Sequence, residues 1–235
     1  MKCVRFMMLM PWGRVGSNLL FAILRQSAPM KLANENLIQL RTAPEQMSWF
    51  KEFYELDAEF PSRPHIGSKQ NLRAIRDLDA LQRALTENNV RVVRLRRKNF
   101  AKAAISQIRA EIYAKQTEQE TGVAAWGVKR GAKTLGPTVI DPDLLLRRIG
   151  IMVEYDSKLM NAFAAPDVLD IEYEEINGSL DGVVTRLRDF LEIPQKAFSP
   201  PFDKATPDRL ADAVTNFPEI QARLAGTPYI SLLVE

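Results

Sequence analysis

The sequence predicts an α/β fold of three layers, with a largely parallel central sheet flanked by helices. Short apolar runs rich in Val, Ile and Met alternate with longer amphipathic segments along the 235 residues. This alternation is typical of parallel sheets, because parallel strands are joined by helical crossovers. Hydrophobic residues make up 46% of the chain and no long biased tract interrupts it. We therefore expect one globular domain over residues 1–235.

The predicted elements follow from periodicity and from cap residues. β-Branched and apolar runs of strand length predict strands at residues 3–10, 65–69, 90–95 and 168–173. Apolar residues at helical spacing, with caps such as Asp141 before Pro142, predict the helices. They lie at residues 19–25, 44–60, 71–87, 100–119, 141–164, 179–191 and 208–225.

Composition excludes several classes of protein. The 32 basic and 29 acidic residues leave a net charge of only +3, which does not indicate a nucleic-acid partner. One cysteine, Cys3, and one histidine, His65, exclude an internal disulfide and a Cys- or His-rich metal site, so we expect no metal. No run of 18 apolar residues indicates a transmembrane segment, and residues 3–10 lack a cleavage site, which predicts a cytoplasmic protein. The sequence indicates no particular oligomeric state.

A glycine loop follows the first predicted strand. Residues 11–18 read Pro-Trp-Gly-Arg-Val-Gly-Ser-Asn and lead directly into a predicted helix. Backbone N–H groups of such a turn, together with the helix amino end, favour a bound anion. The loop is not a Walker A motif, because Gly16 is followed by Ser17 and Asn18 and its one cation is Arg14.

A cluster of cations follows the strand predicted at residues 90–95. Arg96, Arg97 and Lys98 are consecutive and cannot share one helix face, which argues against a simple solvated surface. The cluster also lacks the interleaved aromatic residues of a nucleic-acid site. Since ligands of parallel sheets bind at the carboxyl ends of strands, we expect this cluster and the glycine loop to face one crevice.

The loop resembles the 5′-phosphosulfate loop of sulfotransferases, which use 3′-phosphoadenosine-5′-phosphosulfate (PAPS) and have a P-loop-like fold. The resemblance lies in a basic residue, one further residue, and then Gly-Ser-Asn-Leu-Leu. Weaker matches to the family's later segments occur at residues 171–176, 187–194, 204–216 and 226–229, most closely to bacterial carbohydrate- and lipid-type members. The departures are Val15 for serine, Asn18 for serine or threonine, Lys98 for arginine and Glu192 for glycine.

The resemblance implies a set of binding residues. The loop residues Gly13, Arg14, Val15, Gly16, Ser17 and Asn18 would bind the 5′-phosphosulfate. In the family, a basic residue followed eight positions later by serine holds the 3′-phosphate, which points to Lys98 and Ser106, with Arg97 as the alternative to Lys98. Two helical turns separate such a pair, so that one phosphate fits between them.

The implied reaction moves a sulfuryl group from PAPS to a hydroxyl of a carbohydrate, lipid or small-molecule acceptor, without a metal. Arg14 would offset charge on the leaving phosphate. Glu35 is the first candidate for the base, because related enzymes often place glutamate soon after the first helix, and His65 is the second. Lys69 is expected to be solvated, although it could help to bind the transferred group. Trp126, in the glycine-rich stretch 120–137, is a candidate acceptor gate or a loop anchor.

Two alternatives remain open from the sequence. One is a nucleotide kinase or NTPase of related architecture, which the missing Gly-Lys-[Ser/Thr] disfavours. The other is a catalytically silent nucleotide-binding protein on the same fold, since fold alone does not decide function.

Overall fold

The computed structural model describes residues 4–54, 65–128, 130–132, 134–163, 168–202 and 204–233. Within them, five strands form one sheet in the order β2-β3-β1-β4-β5, and every pairing is parallel. The strands are β1 Val4–Met10, β2 Met30–Asn34, β3 His65–Asn71, β4 Val90–Arg96 and β5 Val168–Glu172. The α/β class and the parallel sheet are confirmed. β2, a short polar edge strand, is an addition to the predicted set.

Helices connect the strands and account for much of the remaining described chain. They are α1 Ser17–Ser27, α2 Ala43–Tyr54, α3 Leu78–Glu87, α4 Phe100–Thr121, α5 Pro142–Ala162, α6 Tyr173–Gly178, α7 Leu180–Phe190, α8 Leu210–Ala213 and α9 Phe217–Leu224. Short 3₁₀ segments lie at Asn36–Gln39, Leu72–Ala74 and Ile230–Leu233. The predicted end of the helix at 44–60 and the turn after it lie outside the described residues.

Three predicted elements were wrong in their boundaries. The helix expected at 71–87 is split, because the side chain of Asp77 accepts a hydrogen bond from the Ala80 N–H and starts α3 there. The helix expected at 208–225 is split into α8 and α9, with Pro218 in the first turn of α9. The strand expected to include Tyr173 ends at Glu172, whose capping box with Glu175 begins α6.

The core occupies both faces of the sheet. Alternate residues of β1 point to opposite faces, so that Phe6, Met8 and Met10 pack on one side while Met7 and Leu9 pack on the other. The first side is covered by apolar residues of α1 and α7, and the second by those of α2, α3 and the end of α5. Burial on both faces explains why β1 reads as a continuous apolar run.

The chain divides into two compact units. The first comprises Met1–Lys98 and Tyr155–Ser199 and contains the whole sheet. The second comprises Asn99–Glu154 and Pro200–Glu235 and is helical where it has regular structure. In the second unit, buried Arg109 of α4 donates to the carbonyl oxygens of Gly136, Leu135 and Ala213 and so fixes the segment that precedes α5.

Candidate functional site

The loop between β1 and α1 has the backbone of an anion-binding turn. Gly16 precedes α1 with φ of 81°, a left-handed conformation that favours glycine. A Cβ at Gly16 would lie 2.8 Å from Cδ1 of Ile176, so a side chain there would also displace the end of the Ile176 side chain. The first turn of α1 contains no acidic residue, and no side chain caps it. Its amino-terminal N–H groups and helix dipole therefore suit a phosphate or sulfate group.

Arg14 and Arg97 bring the two sequence motifs together in the first unit. Nη1 of Arg97 donates to the carbonyl oxygen of Arg14 at 3.3 Å, and its guanidinium lies 4.1 Å from the centre of the Tyr173 ring. Burial lowers the pKa of Arg14; Tyr173 opposes this, and the positive charge of Arg97 adds to it. Arg14 also has a left-handed φ of 69°. Two guanidinium groups beside a helix amino end make this region electropositive.

Lys69 of β3 connects the loop to Glu35. Its side chain is only 1% exposed, and its Nζ donates to Oδ1 of Asn18 and lies 3.1 Å from Oε1 of Glu35. Burial lowers the pKa of Lys69, and the neighbouring Glu35 carboxylate opposes this shift. The expectation of a solvated Lys69 was therefore wrong. β3 is an inner strand, between β2 and β1, and inner strands of a parallel sheet are covered on both faces. The sequence did not reveal that β3 has this position, so the burial of Lys69 was missed.

Glu35, the first candidate base, directly follows β2 and pairs with Lys69. It follows β2 with φ of 51°, and its N–H donates to the carbonyl oxygen of Lys69 at 2.7 Å. The Glu35 side chain is 35% exposed, so that its carboxylate reaches both Lys69 and solvent. The structure thus places the first candidate base beside the residue that contacts the loop.

His65 does not share this location. It is the first residue of β3, in register with Val4 and Met30, and therefore lies at the amino edge of the sheet. Asn71, at the carboxyl end of the seven-residue strand, is six positions further along, roughly 20 Å at the strand rise per residue. Its Nε2 lies 3.3 Å from the carbonyl oxygen of Glu192, and burial lowers its pKa. The structure gives His65 a packing role and no contact with the loop.

The cations in the second half of β4 and directly after it are largely ion-paired. Arg94 forms a two-bond pair with Asp170, and Arg96 a similar pair with Asp156. Lys98 is exposed, and its Nζ lies 2.8 Å from a carboxylate oxygen of Glu172, which raises the pKa of Lys98. Arg94 and Arg96 thus have a structural role. Glu172 would compete with any anion for Lys98, whereas Arg97 donates to the loop.

Ser106 and Trp126 belong to the second unit. Ser106, on α4, is 5% exposed, and its Oγ accepts a hydrogen bond from Oγ1 of Thr206 at 3.4 Å. Asn99 accepts a bond from the Lys102 N–H and caps α4, and its amide donates to the carbonyl oxygen of Leu232. Trp126 is 54% exposed in the irregular stretch after α4.

An aromatic and cationic group also adjoins the loop, and sequence reasoning did not single it out. The guanidinium of Arg73 lies 3.6 Å from the centre of the Trp12 ring. The edge of the Trp12 ring meets Tyr155, with 6.0 Å between ring centres. Within the described ranges, His, Cys, Asp and Glu residues form no group of three that could hold a metal ion. No described helix is both long and apolar enough to cross a membrane.

Comparison with known proteins gives matches among solved structures. No family model matches the sequence, and no curated protein matches it. Solved sulfotransferases resemble this chain. A mouse sulfotransferase, SULT7A1 complexed with PAP, has 15% identity and a TM-score of 0.46 over 82% of this chain and 60% of its own. A sulfotransferase of Alicyclobacillus acidocaldarius has 15% identity and a TM-score of 0.44 over 97% and 95%.

A third match is the sulfotransferase domain of the curacin biosynthetic pathway, with 16% identity and a TM-score of 0.44 over 83% of this chain and 76% of its own. The chain spans about three fifths of the mouse protein's length. The family that the sequence motifs resemble is thus also the family of these solved structures.

Proposed function

We propose that this chain transfers a sulfuryl group from PAPS to a hydroxyl group of an acceptor. The observation that carries the proposal is the position of Lys69, whose ammonium group contacts both Asn18 of the loop and the Glu35 carboxylate. In this proposal the anion-binding loop after β1 and the proton acceptor after β2 are joined through Lys69 of β3, which lies between these strands. Transfer to a hydroxyl group needs this adjacency, because the nucleophile must be aligned and deprotonated at once.

The donor set of the loop fits the phosphosulfate end of PAPS, which would supply the sulfuryl group. The uncapped N–H groups at the start of α1 offer hydrogen bonds, and Arg14 offers positive charge that partial burial makes more effective. Arg97 holds the Arg14 carbonyl oxygen and so fixes the loop. Assignment of the 3′-phosphate to Lys98 or Arg97, with Ser106, rests on the sequence spacing alone.

Glu35 would accept the proton of the acceptor hydroxyl group. Its carboxylate is held by Lys69 yet is about one third exposed, so an acceptor can approach it from solvent. The acceptor is proposed as a carbohydrate, lipid or other small hydroxyl compound.

The direct test is transfer of labelled sulfate from PAPS, without magnesium, to panels of glycans, lipids and small alcohols. Transfer to any acceptor, together with stabilisation by the product adenosine 3′,5′-bisphosphate (PAP), supports the proposal. Phosphate transfer from ATP and magnesium would instead support the kinase alternative. Stabilisation by PAP without transfer to any acceptor favours the silent nucleotide-binding alternative.

A further inference from the structure

The backbone of Glu35 is held in an unusual conformation by its surroundings. Its φ of 51° and ψ of 34° lie in the left-handed region, which a glutamate adopts only where neighbouring structure imposes it. The residue begins the 3₁₀ segment Asn36–Gln39, and the Ile38 N–H donates to the Glu35 carbonyl oxygen. A fixed backbone at this point fixes the direction in which the carboxylate leaves the chain.

Gln46 of α2 binds the segment that directly follows Glu35. The side chain is fully buried, and its amide uses both of its polar atoms. Nε2 donates to the carbonyl oxygens of Leu37 at 2.9 Å and Ala74 at 2.6 Å, while Oε1 accepts from the Arg76 N–H at 2.9 Å. One side chain therefore joins α2 to the segments that follow β2 and β3.

Two residues of β3 complete the arrangement. Oε1 of Gln70, also fully buried, accepts from the Leu37 N–H at 3.2 Å. Both backbone polar groups of Leu37 are thus bound by buried side-chain amides. The carbonyl oxygen of the adjacent Lys69 accepts from the Glu35 N–H. Buried polar networks of this kind specify one arrangement, because each bond that is lost leaves a desolvated group behind.

We propose that Gln46 is a positioning residue for Glu35 in the transfer reaction, an inference that rests on the proposed function. The hydrogen bonds of the Gln46 side chain go to the backbone of Leu37, Ala74 and Arg76, and it acts on Glu35 through the backbone of Leu37. Its role is to keep the Glu35 carboxylate beside Lys69 and Asn18, in line with a hydroxyl group to be deprotonated. A displacement of about 1 Å at a reacting group costs roughly 10²-fold in rate.

Gln46→Met tests this role, because methionine is close in size and forms none of the three hydrogen bonds. We expect kcat to fall by roughly 10- to 100-fold, while KM for PAPS and the affinity for PAP stay unchanged. The matched control is Tyr54→Phe in the same helix. It removes buried hydrogen bonds to Phe6 and Ser68 and should leave kcat unchanged.

A double variant separates positioning from general destabilisation. Because Gln46 acts through Glu35, Gln46→Met should cause no further loss of kcat in a Glu35→Gln background. If Gln46→Met lowers kcat by the same factor in the Glu35→Gln background as in the unaltered protein, the two effects are independent and the proposal is overturned. If Gln46→Met does not fold, Gln70→Met removes one bond to Leu37 and should give a smaller loss of the same kind.

Hydrogen exchange at the Leu37 amide gives a readout that does not need turnover. Exchange there should accelerate in Gln46→Met and in Gln70→Met, while the exchange rates of the loop residues 13–18 stay unchanged. Absence of transfer by the unaltered protein contradicts the proposed function. Undiminished kcat in Gln46→Met, or an unchanged Leu37 exchange rate, overturns the positioning role alone.

Discussion

The ammonium group of Lys69 lies 3.1 Å from the carboxylate of Glu35, and the same ammonium donates to the Asn18 side chain. A lysine only 1% exposed needs a counter-charge, because desolvation of an isolated ammonium is costly. Glu35 provides this charge and is thereby drawn toward the loop. The contact joins the two halves of the proposed reaction, donor binding and proton removal.

Glu35→Gln should lower kcat by roughly 10²–10⁴, since the amide keeps its size but cannot accept the hydroxyl proton. Affinity for PAPS should change little. Steady-state transfer at saturating acceptor measures the effect. His65→Gln is the control, and its activity should stay near normal because His65 lies at the opposite edge of the sheet. Loss in His65→Gln with normal turnover in Glu35→Gln would reverse the assignment.

Arg14→Ala should reduce kcat by roughly 10²–10³ and weaken PAP binding far less. The reason is that preorganised charge acts most strongly on the charge that develops in the transition state. Transfer rates and calorimetric titration with PAP measure the two effects. Arg83→Ala, which removes an exposed arginine from α3, should alter neither. Equal, small losses of binding and turnover would make Arg14 an ordinary binding contact.

PAP should stabilise the protein without magnesium, and more than 5′-AMP does. The two sequence motifs predict separate anion sites, which only a doubly phosphorylated nucleotide fills, and ligand that binds only the folded state raises the Tm. Thermal shift at equal ligand concentrations measures the difference. Equal shifts with the two nucleotides would remove the case for a 3′-phosphate site.

Glu172→Gln should tighten PAP binding by about 2- to 10-fold. Lys98→Ala should weaken PAP binding, and it should raise KM for PAPS more than it lowers kcat. Glu172 holds the Lys98 ammonium group at 2.8 Å and competes with an incoming phosphate. Glutamine keeps an oxygen for the cap of α6 but carries no charge. Calorimetry with both variants and with Arg97→Ala decides which cation serves the nucleotide. Unchanged affinity in Lys98→Ala, with a large loss in Arg97→Ala, would select Arg97.

Stability should fall as the pH drops below about 6.5, in part because of His65. Burial lowers the pKa of folded His65 below its ordinary 6.5, and the Glu192 and Leu191 backbone and the Glu192 carboxylate oppose this only partly. As the pH falls below about 6.5, the unfolded state therefore binds a proton at His65 more readily than the folded state does. The contribution of His65 to the free energy of unfolding is fully present above that pH and is lost as the pH falls through the folded pKa. Tm measured from pH 5 to 8 should fall less steeply in His65→Gln. Parallel curves would contradict this.

The sequence predicted the α/β fold because most of its signals are local. The apolar runs at β1 and β4 and the cap at Asp141 determine element type within a few residues. The break at Asp77 was missed, since the apolar spacing of residues 72–85 continues through it. Helical spacing reports which face is buried and does not report where a cap interrupts the helix.

The candidate site was predictable only in part. The loop and Glu35 were found through a resemblance between motifs, which needs no knowledge of contacts. Lys69 and Gln46 act through partners distant in sequence, Asn18 and Leu37, and no local pattern predicts these contacts. The sequence also could not identify Arg94 and Arg96 as ion-paired residues, because their carboxylate partners come from β5 and α5.

The position of β1 in the sheet has a consequence for synthesis of the chain. β1 pairs with β3 on one side and β4 on the other, and both come later in the sequence. Its Met-rich residues therefore lack their partners until translation passes Arg96, which at 5–20 residues per second takes roughly 4 to 17 s after Met10. A nascent chain in this interval exposes an apolar strand with two open edges. Chaperone contact and the risk of aggregation should concentrate in that interval and end once β4 is available.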